Sequence, residues 1–247
     1  MESCPLCKGA GYLARPRTDG RLGSEAVPCA CKRGELESEI WRRARAASNL
    51  PEALAECAFD TYRAEHQPAA FAAATEFAAW PERQWLVLRG GCGTGKTHLL
   101  IAAANALLAT RRPLYFVVPD LLDYLRAGIR EGDGDADDTL ARTRHVRDCD
   151  VLFLDDYGTE NPTPFANERL FEILDHRYRH ALPTAITTNL ADAQMDRRIA
   201  SRLGDIARAR TIHMRPGDYR QSDARADELA ALLGDLDALP RIAAAAD

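Results

Sequence analysis

The sequence has no long apolar run and no recognisable secretion signal at its amino terminus. No stretch of apolar residues approaches the roughly 18–20 that a membrane-spanning helix needs. The first residues, MESCPLCKGAGY, lack the basic start and the apolar stretch that begin a secreted protein. The sequence therefore predicts a cytoplasmic protein with no membrane partner, in a compartment that keeps cysteine thiols reduced.

The composition is otherwise that of an ordinary globular protein. Of the 247 residues, 46% are hydrophobic and 28% are charged, and the formal net charge is -5. A chain of this length can build one large α/β core with a small appendage. The mild net acidity does not exclude a nucleic-acid partner, because the distribution of charge matters more than its sum.

Patterning divides the chain into four parts. Residues 1–33 are rich in cysteine, glycine and arginine and poor in large apolar side chains, and residues 34–51 predict a connecting helix and linker. Residues 52–220 alternate helix and strand signals, which is typical of a parallel sheet covered by helices. Residues 221–247 are rich in alanine and aspartate, so we expect this tail to be partly disordered.

A glycine-rich loop separates a predicted buried strand, QWLVLRG, from a predicted apolar helix, THLLIAAANALLAT. Gly90, Gly95, Lys96 and Thr97 occupy every fixed position of the G-x-x-x-x-G-K-[ST] pattern. In such a loop, backbone N–H groups surround the phosphates of a nucleoside triphosphate, the lysine neutralises them and the threonine binds Mg²⁺. The predicted nucleotide-binding residues are Gly91, Cys92, Gly93, Thr94, Gly95, Lys96, Thr97 and His98.

Polar residues lie at the ends of two further predicted strands. The strand VLFL leads into Asp155 and Asp156, at the end of a strand where ligands bind in open α/β sheets. Asp155 is predicted to hold Mg²⁺ together with Thr97, and Asp156 to polarise the attacking water as a general base. The strand AITT ends at Asn189, which would place a neutral amide beside the γ-phosphate. Taken alone, the TTN sequence is as easily a turn.

Four of the seven cysteines form a CxxC and a CxC pair on either side of residues 8–28. Four thiolates suit tetrahedral Zn²⁺, and metal binding would replace the apolar core that this segment lacks. The sequence therefore predicts a structural zinc site, with free thiols or a redox pair as the alternative because CxC is less usual than CxxC. The predicted ligands are Cys4, Cys7, Cys29 and Cys31.

Several ordered motifs resemble one family. The segments GCGTGKTHLL, VLFLDDYG, LFEILDHRYRHALPTAITTNL and RRIASRL are similar to those of the DnaC-type helicase loaders and their relative IstB, within the AAA+ ATPases. The resemblance covers about residues 49–220. It implies a five-stranded parallel core, ATP rather than GTP, and head-to-tail oligomers in which one subunit completes its neighbour's site.

The resemblance also implies roles for individual residues. Asn189 would be the polar sensor, and Arg202 would be the arginine finger that reaches the next subunit's γ-phosphate, with Arg198 as the competing candidate. A guanidinium stabilises charge on the transferring phosphoryl group. The N-terminal module of a loader grips the replicative helicase hexamer, so we expect residues 1–48 to do this.

A basic helix is the expected contact with single-stranded DNA. In the loaders and initiators this region faces the central channel, where arginines pair with phosphates and binding weakens with salt. Aromatic residues are scarce nearby, so base stacking is not supported, and a solvated charged face is the alternative. The residues concerned are Arg126 and Arg130 on one predicted helix and Arg142, Arg144, His145 and Arg147 on the next.

The leading hypothesis is an ATP-dependent loader that places the replicative DNA helicase on single-stranded DNA, with ATP, Mg²⁺ and Zn²⁺ as cofactors. The alternative is an IstB-like ATPase that assists a transposase on duplex DNA. The cysteine-rich N-terminus favours the loader, because the transposase helpers usually begin with helices. A small-metabolite kinase would need an acceptor pocket and an arginine-rich lid, and the sequence contains neither. A module in which ATP only sets conformation is a fourth hypothesis.

Overall fold

The computed structural model describes residues 4–8, 10, 12–16, 24–130 and 136–217. The predicted tail, 221–247, lies outside these residues. No helix within them is both long and apolar enough to cross a bilayer.

The N-terminal module is a hairpin followed by a helix. Strands β1 (Tyr12–Pro16) and β2 (Ser24–Pro28) pair antiparallel, and helix α1 spans Ala30–Ala47. The hairpin was not predicted, because residues 1–33 carry too few large apolar side chains to show a strand period. Helix α1 begins before the predicted connecting helix, and its first turn therefore includes Cys31. Cys29, at the N-cap, has the extended backbone that is usual there.

The main domain is an α/β fold built on a five-stranded sheet with the order β4-β5-β6-β3-β7. All neighbouring strands in this sheet are parallel. Two short 3-10 helices lie at Glu52–Leu54 and Asp192–Gln194. The remaining elements are α2 (Pro68–Ala79), β3 (Trp85–Arg89), α3 (Lys96–Leu107), β4 (Pro113–Val117), α4 (Val118–Arg130), α5 (Ala136–Asp148), β5 (Val151–Tyr157), α6 (Pro164–Arg179), β6 (Thr184–Thr188), α7 (Arg197–Leu203) and β7 (Ala209–His213).

Helices cover both faces of the sheet, so its central strands are buried on both sides. Along β3, Leu86 packs with α2 and α3, whereas Val87 packs with the opposite helices. This alternation follows from the two-residue period of a strand. Helix α3 is buried from Leu99 to Ala104, in agreement with its apolar sequence.

A buried arginine closes the edge of the sheet at which the strands begin. Arg177 of α6 is 0% exposed and donates through Nη1 to the carbonyls of Arg147 and Cys149, at 2.9 and 2.8 Å. Its Nη2 donates to the carbonyl of Pro183 and its Nε to the hydroxyl of Thr184. The guanidinium thus ties α6 to the segments that enter β5 and β6, and hydrogen bonds offset its burial.

The sequences of β7 and α4 have features that their positions in the fold explain. The fifth strand, β7, has a mixed sequence, ARTIH, and lies at an edge of the sheet, so it carries no continuous apolar run. Helix α4 begins at Val118, so Pro119 lies inside its first turn. Proline is tolerated there because the first N–H groups of a helix have no partner within it.

Candidate functional site

The glycine-rich loop joins β3 to α3, and its lysine is enclosed by the loop backbone. Lys96 is 5% exposed, and its Nζ donates to the carbonyls of Gly90 and Gly91 at 2.9 and 2.7 Å. The hydroxyl of Thr94 donates to Gly91 as well, at 3.0 Å. Gly95 has a φ of 91° at the N-cap of α3, a conformation that glycine adopts without strain. The loop therefore presents a lysine and a helix N-terminus at one place, which suits a bound phosphate.

Aromatic side chains at and before the start of α2 cover one side of this loop. The ring of Tyr62 stacks on Phe71, with 5.9 Å between centroids, and meets the ring of His98 edge-on at 5.2 Å. A Cβ at Gly95 would lie 2.9 Å from the Tyr62 ring, so only glycine fits. Burial raises the pKa of Tyr62 to about 12. His98 Nε2 also lies 3.0 Å from the carbonyl of Ala58, so His98 ties the segment before α2 to α3.

The carboxylate of Asp155 lies at the centre of a set of hydroxyl groups. Asp155 is 2% exposed, and the hydroxyl of Thr97 lies 3.2 Å from its Oδ1. The hydroxyl of Tyr115 donates to Oδ2 at 2.8 Å, and the hydroxyl of Thr187 donates to Oδ1. The fold thus brings Asp155 and Thr97 together, as the sequence predicted. Adjacent carboxylate and hydroxyl oxygens are hard donors of the kind that Mg²⁺ prefers, so these residues fit the metal.

Asp156 has an unusual backbone conformation for a strand residue. Its φ is 54°, in the left-handed region, and the pairing of β5 with β6 shifts register between Leu154 and Tyr157. The backbone N–H of Asp156 donates to the hydroxyl of Thr187 at 2.9 Å, which holds this conformation. A bulge of this kind redirects side chains that would otherwise alternate between the faces of the sheet. Asp156 is half-buried at the same end of the strand as Asp155.

The amide of Asn189 reaches the glycine-rich loop. It directly follows β6, and its Nδ2 lies 3.8 Å from Sγ of Cys92. Both side chains are exposed at the edge of the sheet where β3, β5 and β6 end. The structure therefore places Asn189 beside the predicted phosphate site.

Arg202 is held against its own subunit. Its Nη2 donates to Asp175 of α6 and its Nη1 to the carbonyl of Arg198, the latter at 2.7 Å. Its guanidinium also lies 4.9 Å from the ring centroid of Phe171. Arg198 is ion-paired with Asp196 at 3.0 Å, and 54% of its side chain is exposed, against 22% for Arg202. The structure thus brings neither arginine to the loop of the same chain.

The four N-terminal cysteines come together. Their sulfur atoms all lie within 4.8 Å of one another, with Cys4 to Cys29 at 3.9 Å and Cys7 to Cys31 at 3.5 Å. Zinc–thiolate bonds of about 2.3 Å in a tetrahedron separate the sulfurs by roughly 3.8 Å, so the quartet fits the ion. Backbone N–H groups of Cys7 and Leu6 lower the pKa of Cys4, whereas hydrogen bonds with Cys7 and Cys29 raise the pKa of Cys31, so the four sulfur atoms interact as one set.

Most of the predicted basic face is engaged within the chain. Arg142 donates to the carboxylate of Asp138 and to the carbonyl of Tyr124, both at 3.0 Å. Arg147 donates to Asp148 at 2.9 Å. Arg142 thus ties α5 to α4, while Arg147 pairs with its neighbour on the same helix, so both are less available to nucleic acid than the sequence implied.

The remaining basic side chains of this face differ in whether they are paired. Arg126 pairs with Asp123 at 2.9 Å on α4. Arg144 and His145 are exposed on α5, and neither side chain makes a hydrogen bond or ion pair within the described part of the chain. Arg144 is therefore the arginine of this face best able to meet a phosphate.

Three contacts at the site were missed from the sequence. Tyr115 and Thr187 both bond Asp155, and each lies inside a strand of predominantly buried residues. Arg89, directly before the loop, is 7% exposed and pairs with Asp192 at 2.7 Å. A hydroxyl or guanidinium inside a buried strand must find a partner, and that is the signal that could have identified them. Burial, reinforced by the charge of Asp155, raises the pKa of Tyr115 far above its usual value.

Comparison with known proteins gives consistent matches. The family model described as IstB-like ATP binding protein matches residues 41–213. Phage-like element PBSX protein XkdC of Bacillus subtilis (strain 168) is 29% identical over 204 residues, which cover 76% of this chain and 71% of that protein. Replicative helicase loader DnaC of Buchnera aphidicola subsp. Baizongia pistaciae (strain Bp) is 25% identical over 183 residues, or 72% of each chain.

A solved structure supports the fold. The crystal structure of the DnaC helicase loader superposes with a TM-score of 0.57 at 24% identity, and the match covers 67% of this chain and 100% of that chain. At this identity the likeness shows the fold alone. It confirms the predicted AAA+ P-loop fold with a five-stranded parallel sheet.

Proposed function

The chain belongs to the family of IstB-like ATP-binding proteins, and on that premise we propose that it loads the replicative DNA helicase onto single-stranded DNA. It is an ATPase of the DnaC and IstB type. The proposal assigns the zinc module to residues 1–33, the connecting helix and linker to 34–51, the AAA+ domain to 52–220 and the tail to 221–247. Helix α1 begins inside the first of these parts.

One observation carries the loader proposal: the N-terminal module exposes apolar surface. Of the large hydrophobic side chains that are exposed in the described residues, most lie on this small module: Leu6, Tyr12, Ile40 and Trp41. Ile40 is 66% exposed on α1. Apolar patches on a protein surface are typical of protein-binding sites, so these side chains are the docking surface in this proposal. A helicase subunit is the partner that the named DnaC relatives imply.

The residues around Asp155 support a hydrolytic site. Lys96 and the N-terminus of α3 would hold the β and γ phosphates, and Thr97 with Asp155 would hold Mg²⁺. The ion, when bound, neutralises charge that develops on the phosphates. Asp156 would accept the proton of the attacking water, and Asn189 would orient that water.

Self-assembly is the part of the proposal that involves Arg202. In head-to-tail oligomers, Arg202 of one subunit would reach the nucleotide of the next and stabilise the transferring phosphoryl group. To do so it would have to leave Asp175, with which it pairs here. Assembly would then exchange an intramolecular ion pair for a contact in trans, so that hydrolysis depends on a neighbour.

A transposase helper is the second candidate, and the description of the matching family favours it. Such a protein would act on duplex DNA with a transposase as its partner. The cysteine quartet and hairpin favour the loader instead, because they build a separate module ahead of the AAA+ domain.

The deciding experiment is co-elution with the host's replicative helicase, first with ATP and Mg²⁺ and then with ADP. The loader proposal expects a complex that depends on the nucleotide. Ile40→Asp in the full chain should abolish it, because a charge would then lie in the docking surface. Ile206→Asp is the matched control, since Ile206 is an exposed apolar residue on the AAA+ domain. Absence of a complex with either nucleotide, from a chain that binds ATP, would favour the transposase helper.

A further inference from the structure

Tyr115 contacts two distant parts of the chain at once. It lies on β4, at an edge of the five-stranded sheet, where the backbone has no neighbouring strand on one side. Its backbone N–H donates to the carbonyl of Ser48 at 2.9 Å, and its carbonyl accepts from Nδ2 of Asn49 at 3.0 Å. Its hydroxyl donates to Oδ2 of Asp155 at 2.8 Å. One residue therefore joins the end of α1 to the carboxylate of the nucleotide site.

The end of α1 is held firmly against the main domain. Asn49 has a φ of 57°, which turns the chain so that Ser48 and Asn49 both face the backbone of Tyr115. Leu50 is 6% exposed and packs in the same core cluster as Tyr115. Arg45, 4% exposed, donates to the carbonyl of Pro51 at 2.5 Å. The connector is thus a packed unit, and a displacement of α1 would be felt at Tyr115.

The hydroxyl of Tyr115, and not its ring, makes the contact with the nucleotide site. The ring is 3% exposed, so a phenylalanine would fill the same space in the core. The hydroxyl occupies one oxygen of Asp155 and leaves the other to Thr97 and Thr187. A tyrosine side chain has few rotatable bonds, so its backbone and its hydroxyl move together.

We propose that Tyr115 couples the docking of α1 to the orientation of the Asp155 carboxylate. A partner that moves α1 would then change ATP turnover, and a bound nucleotide would change how tightly α1 docks. Such coupling is reciprocal by thermodynamic necessity. Tyr115 is a positioning residue in this proposal, because it acts through Asp155. The inference rests on the proposed function only in taking the N-terminal module as the place where a partner binds.

The test compares wild type, Tyr115→Phe, Asn49→Gly and the double variant, all in the full chain. Glycine keeps the left-handed backbone at position 49 without strain and removes only the amide that bonds Tyr115. Asn49 has an exposed side chain, so this variant leaves the core unchanged even if Tyr115→Phe folds poorly. Tyr124→Phe is the matched control, since its hydroxyl has no partner within the described residues.

Two readouts are needed. The first is the Mg²⁺ concentration that half-saturates ATP turnover, which should rise about 5- to 10-fold in each single variant. In the double variant the rise should be no larger than in one single variant, because both changes break the same connection. The second is hydrogen exchange of the backbone amide at position 115, which donates to Ser48. Adding ATP and Mg²⁺ should slow this exchange in wild type and in Tyr124→Phe, but not in Tyr115→Phe.

Either of two results would overturn the coupling. One is that the effects of Asn49→Gly and Tyr115→Phe on Mg²⁺ dependence multiply, which would make them independent. The other is that nucleotide protects the amide equally with and without the hydroxyl. No helicase enters this experiment, so its failure is distinct from failure of the loader proposal, which is judged by the helicase complex.

Discussion

The hydroxyl of Thr187 lies 2.9 Å from the backbone nitrogen of Asp156 and accepts its hydrogen bond. The same hydroxyl donates to Asp155, so one side chain on β6 holds both carboxylate residues at the end of β5. A left-handed backbone at a non-glycine residue costs about 1 kcal/mol or more and persists only where its surroundings hold it. Thr187 supplies that restraint, and Asn189 follows two residues later on the same segment.

Thr187→Val should therefore impair turnover more than ATP binding. The substitution keeps the shape of the side chain but removes the hydroxyl. The N–H of Asp156 then keeps only the longer hydrogen bond to Oδ1 of Asp155, at 3.2 Å, and losing the bond to Thr187 should cost about 1 kcal/mol in the free energy of unfolding. We expect kcat to fall roughly 10- to 100-fold as Asp156 loses its position, with the Kd for ATP changed less than about 3-fold.

The control for this prediction is Thr211→Val, which removes a hydroxyl that donates to the carbonyl of Leu203 at the far side of the sheet. Turnover should stay near the wild-type value in that variant. Denaturant unfolding of both variants separates lost stability from lost activity. Unchanged kcat in Thr187→Val would show that Asp156 needs no such restraint.

Mixed oligomers test whether Arg202 acts in trans. Arg202→Ala leaves the subunit's own nucleotide site intact but removes the proposed finger, whereas Asp156→Asn keeps the finger and inactivates the site. Each variant alone should lose most turnover, by roughly 10³-fold or more for the arginine. Mixing them should restore activity, because Asp156→Asn subunits can supply Arg202 to intact sites. Steady-state ATP hydrolysis across mixing ratios measures this.

Arg198→Ala provides the comparison in the same assay. If mixing rescues Arg198→Ala and not Arg202→Ala, the finger is Arg198, which is the more exposed of the two. If neither variant loses turnover, hydrolysis does not depend on an arginine from α7.

Removing the metal should unfold the cysteine-bearing hairpin of residues 1–33 and spare the ATP site, because the end of α1 stays packed on the main domain. The quartet should hold one Zn²⁺ per chain, measured by elemental analysis, and Cys4→Ser should lower that content sharply. Since this module has little apolar core, its stability should depend on the ion. ATP affinity should change little, because the cysteines lie outside the main domain. Cys57→Ser is the control, and equal zinc content in Cys4→Ser and wild type would contradict the assignment.

Arg144 and Arg142 should give different results although they are two residues apart. Arg144→Ala should weaken binding to single-stranded DNA and reduce the salt slope of the affinity by about 1, as expected for one lost phosphate contact. Arg142→Ala should instead lower the free energy of unfolding by about 1–2 kcal/mol, because it strips a donor from the carbonyl of Tyr124. DNA titrations at several salt concentrations, with denaturant unfolding, separate the two effects. An unchanged salt slope in Arg144→Ala would exclude this face as the DNA contact.

The sequence predicted the structure well wherever all the residues of a site or element lie within one short segment. The glycine-rich loop is such a feature, because a strand, a turn and a helix N-terminus follow one another from Trp85 to Thr97. Asp155 was also placed well, since parallel strands end at one edge of a sheet and a carboxylate after a buried strand must lie there. The spacing of the cysteines likewise brought their sulfur atoms together in the structure.

The sequence did not predict where α1 begins or which residues meet across long distances in the chain. The start of α1 was placed too late, because the charged residues after Cys31 hide the point at which the helix begins. The pairing of Arg202 with Asp175 joins α7 to α6, and no local pattern encodes it. The same holds for Tyr115, whose hydroxyl partner is on another strand and whose backbone partners precede the whole main domain.

The sequence by itself determined the nucleotide loop and most of the order of strands and helices in the main domain, because these depend on short-range spacing and on the two periods of regular structure. The family followed from the resemblance of several motifs in order. Only the tertiary structure decided which hydroxyls surround Asp155, how Asp156 is turned, and which arginines are free. Those outcomes depend on side chains far apart in the chain that meet when the sheet forms, and burial then requires each of their polar atoms to find a partner.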